Sequence, residues 1–238
     1  MKKNETQLII FDFDGTLVDS APYVAQLDAE ILSEKIGHVS LTQMATDYAG
    51  LSLDDKILAV CQAHDKRITR KEISDMIDER MERHIKIYQN GTVNIFKGME
   101  AFLQSLPCPS CVASQNAVDR LGLLIQATGL SKYFAPGAYF GADQVDLPKP
   151  APDLFAFAAE QHNAAPENCL VFGDSVDDMK GAVSAGMHPY GFVSPHDENM
   201  DVMIDKLYAH GAKNVFTDPL VMRDALPSLG VEAVNKWM

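Results

Sequence analysis

The hydrophobic pattern of the chain changes its period twice. Residues 8–13, LIIFDF, form a continuous apolar run interrupted only by Asp12, the length and character of a strand buried on both faces. From Pro22 to Gln89 the apolar positions recur every three or four residues. One segment carries Val24, Leu27, Ile31 and Leu32; the next, LDDKILAVCQAH, follows a Ser52 cap; a third carries Ile73, Met76, Ile77, Met81 and Ile85. This is a block of helices without a convincing strand. From Phe96 onward short apolar runs alternate with helical ones. Helix GMEAFLQSL leads to strand CVASQ, helix AVDRLGLLIQATGL to strand AYFGA, and helix PDLFAFAAEQHN to strand CLVFGD. Helix VDDMKGAVSAG, a strand near HPYGFV, helix MDVMIDKLYAHG, the run NVFTD and a last helix complete the series.

Apolar strands alternating with helices predict an α/β fold, a Rossmann-like parallel sheet covered on both faces. The pattern places this core in residues 1–17 and 95–238 and an inserted all-α domain in 18–94. An insertion of roughly 70 residues far exceeds an ordinary connection and must be a module of its own. It leaves and returns beside the end of the first strand, so it is expected to act as a lid on whatever lies there. No internal repeat or low-complexity segment interrupts the pattern.

Composition narrows the classes of partner. The 238 residues are 47% hydrophobic and 22% charged, enough to bury a proper core in one large domain or two modest ones. A net charge of −13 argues against binding nucleic acid or an anionic membrane by bulk electrostatics. No protein partner is implied either, and a phosphorylated ligand would need local cations. No apolar stretch approaches the roughly 20 residues that span a bilayer. The opening MKKNETQLII lacks the longer apolar core and cleavage site of a secretory signal, so a cytoplasmic location is expected. Of the four cysteines, Cys108 and Cys111 have the CxxC spacing of redox or zinc sites. No second pair completes a metal set, and they are expected to be two residues at the entrance of a strand. His84 and His188 show no ligand spacing.

The strand ends carry the candidate chemistry, because ligands of open α/β sheets bind beyond the carboxyl ends of the strands. The first strand ends in Asp12 and Asp14, followed by Gly15 and Thr16. CVASQN ends in Ser114 and Asn116. VFGDSVDD brings Asp174, then Asp177 and Asp178, and DLPKPAPDLF brings Lys149 between two prolines. On a strand, residues i and i+2 point to the same side, so Asp12 and Asp14 share one site while Phe13 turns into packing. Two carboxylates about 5 Å apart repel by about 3 kcal/mol at an effective dielectric of about 20. Asp174 adds to that penalty, so the cluster calls for a cation, and hard oxygen ligands suit Mg²⁺. Other readings of single residues stay open. Asp178 closes a Ser175 S-x-x-D cap, Asp177 is a favourable charge at a helix start, and Asn116 either supports Ser114 or caps the helix beginning at Ala117.

The set DFDGT, a strand-end serine, a KPxPD lysine and GDSxxD, in this order, resembles the haloacid dehalogenase superfamily of phosphatases and phosphomutases. The likeness spans essentially the whole chain, and the insert is similar to that superfamily's α-helical cap. The resemblance implies that Asp12 is the nucleophile that forms an aspartyl-phosphate and that Asp14 is the general acid and base. It implies that Mg²⁺ is held by Asp12, the backbone carbonyl of Asp14 and Asp174. Ser114 and Lys149 would hold phosphoryl oxygens together with Gly15, Thr16 and Asn116, and Asp178 would stand behind them, orienting Lys149 or metal-bound water. Asp14 favours phosphoryl transfer over attack on carbon, since a halide leaving group needs no proton.

Within the superfamily, CVASQNAVDRL, LPKPAPDLF and ENCLVFGDS look most similar to the 6-phosphogluconate and sugar-phosphate phosphatases. The alternative is a β-phosphoglucomutase-like isomerase that uses the same aspartyl-phosphate. The cap loop bears on the choice. Gly50, Leu51 and Leu53 are expected to set substrate choice, and the apolar Leu53 stands where a mutase would carry a basic residue and a phosphonate hydrolase its lysine. Hydrolysis of a small phosphorylated metabolite is therefore the expected activity, with a sugar or sugar-acid phosphate as substrate.

Overall fold

The computed structural model describes residues 6–48, 53–197 and 199–231. In chain order its elements are β1 (Leu8–Phe11), α1 (Ala21–Lys35), α2 (Leu41–Thr46), α3 (Leu53–Ala63), α4 (Arg70–Gln89), α5 (Met99–Gln104), β2 (Ser110–Ser114), α6 (Val118–Ala127), β3 (Tyr139–Gly141), α7 (Asp153–Gln161), β4 (Cys169–Gly173), α8 (Val176–Ser184), β5 (His188–Phe192), α9 (Met200–Ala209), β6 (Val215–Phe216) and α10 (Pro219–Ala225). They form two compact units: one comprises the chain up to Asp19 and from Asn94 onward, the other is Ser20–Val93. No helix among the described residues is long and apolar enough to cross a membrane.

The first unit is built on a six-stranded sheet in the order β3-β2-β1-β4-β5-β6, with every neighbouring pair parallel. Parallel strands need crossover connections, and helices supply them on both faces. Residues of alternate parity along the strands therefore enter two different cores. Leu8 and Ile10 of β1, Cys111 and Ala113 of β2, and Cys169 and Val171 of β4 pack with Leu154, Phe155 and Ala158 of α7 and Ala182 of α8. On the opposite parity Phe11 stacks on Phe172 of β4 at 5.6 Å between ring centroids and meets Phe102 of α5 edge-on at 5.8 Å. Tyr190 of β5 stacks on the same Phe172 at 5.4 Å. The chain order runs outward from β1 in one direction and from β4 in the other, so the topological switch point lies between these two strands.

The first strand ends two residues earlier than LIIFDF suggests, because Asp12 and Phe13 leave the ladder as the chain turns. Its pairing still reaches one residue further, with the Asp12 amide donating to the Phe172 carbonyl at 2.8 Å. The chain departs from this unit and returns to it through a short antiparallel ribbon. Val18 bridges Ile95, the Asp19 amide donates to the Asn94 carbonyl at 2.9 Å, and the Phe96 amide donates to Leu17 at 3.2 Å.

The second unit is all helix. Leu27, Ile31 and Leu32 of α1, Met44 of α2, Ile57, Val60 and Cys61 of α3 and Met76 of α4 form its core. The short α2 escapes the periodicity because six residues hold too few turns to show one. Its start is nonetheless written in a capping box, in which Ser40 Oγ accepts from the Gln43 amide and Gln43 Oε1 accepts from the Ser40 amide. Thr69 and Glu72 repeat this arrangement at the start of α4. His84, without ligand spacing in the sequence, is buried against Tyr88, with ring centroids 5.0 Å apart. The Ser52 cap falls outside the described residues.

Phe172 touches aromatic rings from two neighbouring strands and a helix, so its truncation leaves a cavity that no single side chain can fill. Phe172→Ala is expected to destabilise the sheet unit by about 3–5 kcal/mol, read as a lower urea midpoint.

Candidate active site

The residues singled out in the sequence arrive at the site from four connections at the carboxyl edge of the sheet. Asp12 follows β1 and Asp174 follows β4, the two strands that flank the switch point. Lys149 comes from the segment ahead of α7, where the Lys149–Pro150 peptide is cis, and Ser114 is the last residue of β2. Lys149 is 4% exposed and donates to Asp12 Oδ1 at 2.7 Å and to Asp178 Oδ1 at 2.6 Å. Its ammonium also lies 5.0 Å from the centroid of the Phe155 ring. Burial opposes the ammonium charge, but the two carboxylates outweigh it and hold Lys149 above the usual lysine range. Burial pushes the Asp12 carboxyl up to about 7, with Lys149 pulling it down and Asp178 and Asp14 pushing it up. Asp174 is raised well above the ordinary carboxylate range by burial and by Asp12 and Asp178, while a hydrogen bond from Thr16 opposes the rise.

The two aspartates of DFDGT occupy different surroundings. Asp12 is bound to the buried ammonium, whereas Asp14 is half-buried and its Oδ2 accepts from Asn116 Nδ2 at 2.8 Å. Asn116 Nδ2 also donates to Ser114 Oγ at 3.0 Å, and its backbone amide donates to the same oxygen at 3.2 Å. Of the two readings of Asn116 in the sequence, support of Ser114 is the one formed. Ala117 is the N-cap of α6 without a side-chain bond, and Asp143 accepts from the Val118 amide instead.

Asp178 combines both of its sequence readings. Its Oδ2 accepts from the Ser175 amide and hydroxyl, its own amide donates to Ser175 Oγ, and its Oδ1 is the one on Lys149. The cap of α8 thereby aims the carboxylate that holds the lysine. Thr16 is fully buried and its hydroxyl donates to Asp174 Oδ1 at 3.1 Å, a contact not contained in the expectation that Thr16 helps to hold phosphoryl oxygens. Gln115, absent from the sequence reading, donates to the Lys149 carbonyl at 2.9 Å and ties β2 to the lysine loop. Gly173 went unread as well: a Cβ there would lie 2.5 Å from Asp178 Cβ, so the glycine of GDS makes room for the side chain of Asp178.

One oxygen from each of Asp12, Asp174 and Asp178 lies within 4.8 Å of the others. Three clustered carboxylates, two of them bonded to one ammonium, form a hard, anionic donor set, and these residues fit a divalent cation. The expected set contained the Asp14 carbonyl where this cluster contains Asp178, whose two oxygens already serve Lys149 and the helix cap.

Of the cap residues, Leu53 opens α3 and packs, partly buried, against the core of the helical unit. Gly50 and Leu51 fall outside the described residues. Cys108 and Cys111 are free thiols, and burial pushes Cys108 up to about 11 and Cys111 further, which leaves both as poor nucleophiles.

Gly15 has φ +75°, and a Cβ on it would fall 2.2 Å from Asp174 Oδ2. Gly129 has a similar φ of +72° and nothing within 4 Å of such a Cβ. Both alanine variants should lose about 1–2 kcal/mol for the left-handed backbone. Gly15→Ala should lose more, and the difference between their melting temperatures measures the collision with Asp174.

Comparison with known proteins identifies the family. The family model for haloacid dehalogenase-like hydrolases matches residues 9–192. A 6-phosphogluconate phosphatase of Escherichia coli is 24% identical over 193 residues, covering 81% of this chain and 85% of that protein. A phosphoglycolate phosphatase of Xylella fastidiosa is 29% identical over 208 residues, covering 84% and 87%. Among solved structures, a haloacid dehalogenase-like protein of Agrobacterium tumefaciens superposes with a TM-score of 0.81 at 28% identity, over 94% of this chain and 99% of that one. With the family model matching residues 9–192, well over half of its length, the chain belongs to the haloacid dehalogenase-like hydrolase family.

Proposed function

We propose that the protein is a Mg²⁺-dependent phosphatase that hydrolyses a small phosphorylated metabolite through an aspartyl-phosphate on Asp12. One observation carries this reading: the two aspartates of one strand end are held apart chemically, Asp12 by the Lys149 ammonium and Asp14 by the Asn116 amide. A nucleophile must remain charged beside a phosphate, and a proton carrier must be free to gain and lose a proton. Among the described residues, no donor bonds the second oxygen of Asp12, Oδ2, which leaves it to attack phosphorus.

In the first half-reaction Asp12 Oδ2 forms a bond to phosphorus as the ester P–O bond breaks, and Asp14 gives its proton to the departing alkoxide. In the second, Asp14 takes a proton from water as the water oxygen bonds to phosphorus. The acyl-phosphate bond then breaks, releasing inorganic phosphate and restoring Asp12. Ser114 and Lys149 would hold the phosphoryl oxygens. Asp12, Asp174 and the Asp14 carbonyl would hold the Mg²⁺, which neutralises charge on the phosphoryl group when bound. Asp178 keeps Lys149 directed at Asp12.

The inserted unit Ser20–Val93 is read as the cap of this site, because the chain enters and leaves it next to the nucleophile motif. A unit closing over the site would favour small molecules over phosphoproteins. The relatives named for 6-phosphogluconate and phosphoglycolate support a sugar-acid or related phosphate as substrate. Leu53, packed on the cap's own core, gives no support to the mutase.

Phosphate release from 6-phosphogluconate, phosphoglycolate, hexose phosphates and nucleotides in the presence of Mg²⁺ tests the reading. Turnover of a few of them is expected, and Asp12→Asn should abolish it while leaving the melting temperature near that of wild type. Wild-type-like release by that variant would sink the nucleophile assignment. A silent panel with activity on β-glucose 1-phosphate plus a bisphosphate would establish the mutase instead.

Thorough chelation should stop turnover, and Mg²⁺ should restore it and raise the melting temperature of the wild type. Asp174→Asn should need a higher Mg²⁺ concentration for the same thermal shift; an identical shift would remove Asp174 from the metal set.

A further inference from the structure

The sheet unit holds a cavity of about 600 Å³ that the chemistry above leaves unused. It is lined by residues 19, 94–97, 195–196 and 217–220, all of one unit and none of them placed in the candidate active site. Two of its sides are the arms of the ribbon. The others follow β5 and β6 at the carboxyl edge of the sheet, the edge at which open α/β sheets bind ligands. Its size is that of a small-molecule pocket, and its walls combine Ile95, Phe96, Pro195, Pro219 and Leu220 with a few polar groups.

Asp19 is the polar group that lacks a partner. Its backbone amide is committed to the Asn94 carbonyl at 2.9 Å, but its side chain takes no hydrogen bond and no ion pair from a described residue. Oδ1 is also closed off from water. Such an oxygen is costly to bury, and native structures rarely keep one without a use. Burial raises the Asp19 carboxyl, and His196 opposes the rise without bonding to it. The remaining charges of the lining are settled: Asp218 Oδ1 accepts from the Leu220 amide at 2.8 Å, and Lys97 is exposed to solvent.

With His196 counted as neutral, two carboxylates and one ammonium leave the lining with one negative charge. An anion would be repelled by the carboxylate already withdrawn from water. A divalent metal ion takes about six oxygen ligands, and neither Asp19 nor Asp218 belongs to a group of three ligating side chains. An amine fits both halves of the cavity, since its ammonium brings the counter-charge that Asp19 lacks and its hydrocarbon body covers the apolar wall.

We propose that this cavity is a binding site for a small organic monocation, whose ammonium pairs with Asp19 and whose apolar body lies against Phe96, Pro195 and Leu220. The proposal stands apart from the phosphatase reading. The alternative is a cavity filled only by water, with Asp19 serving the course of the chain alone.

Three probes that share a phenylethyl body separate these readings at neutral pH: 2-phenylethylammonium, 2-phenylethanol and 3-phenylpropionate, with charges of about +1, 0 and −1. By calorimetry the wild type should bind the ammonium with a Kd of about 1 mM or tighter, and the alcohol and the acid at least about tenfold more weakly. Asp19→Asn should weaken binding of the ammonium by about tenfold, the range of a charge-assisted hydrogen bond, and leave the alcohol unchanged. The bound ammonium should also slow hydrogen exchange at the Asp19 and Phe96 amides, which donate across the ribbon. No binding, equal binding of the three probes, or unchanged affinity in Asp19→Asn overturns the proposal. If that variant does not fold, exchange in the wild type decides: slowed exchange at these two amides upholds the site, and unchanged exchange overturns it.

Discussion

The site is organised around one buried ammonium. Three carboxylates from two strand ends would repel one another strongly in a region with so little water, and Lys149 is the side chain that holds two of them together. Its position depends on contacts far apart in sequence. Gln115 fastens its carbonyl from β2, Asp178 receives its ammonium from the first turn of α8, and Gly173 leaves the space in which Asp178 turns back. Remove the lysine and an uncompensated cluster of acids remains, already pressed towards protonation at Asp12 and Asp174.

The sheet supplies the rigidity this arrangement needs. Strand parity sends Phe11 and Phe172 into one core and Ile10 and Val171 into the other, so the strands that carry Asp12 and Asp174 are clamped from both faces. A small shift of either strand would disturb the hydrogen bond from the Asp12 amide to Phe172 and, with it, the spacing of the acids. Precision in the site is inherited from packing beneath it.

Much of this was legible in the sequence, and the reason is periodicity. Strands buried on both faces and helices of two or more turns leave patterns that local reading recovers, so the alternation after Phe96 and the helical block before it matched the elements found. The strand-end motifs were legible because DFDGT, GDSxxD and the proline-bracketed lysine each carry their chemistry within a few residues. What escaped depends on long-range contacts. The sequence cannot place Thr16 against Asp174, 158 residues away, or Asn116 against Asp14, 102 residues away. Asp28 was invisible for the opposite reason: it lies within an apolar face whose neighbours all read as core, and its partners Lys56 and Arg80 look like ordinary surface charges until the helices pack.

The ribbon through which the chain leaves and re-enters the sheet unit bears on how such a protein could have been assembled. The backbone atoms on either side of Ser20–Val93 are already joined by the hydrogen bond between Asp19 and Asn94. With the segment excised, the two ends would stand as the arms of a hairpin, closable by a tight turn with no change in strand order. The hydrogen-bonded ribbon thus makes this a point where a helical module can be gained, lost or exchanged by recombination without disturbing the strand order of the sheet.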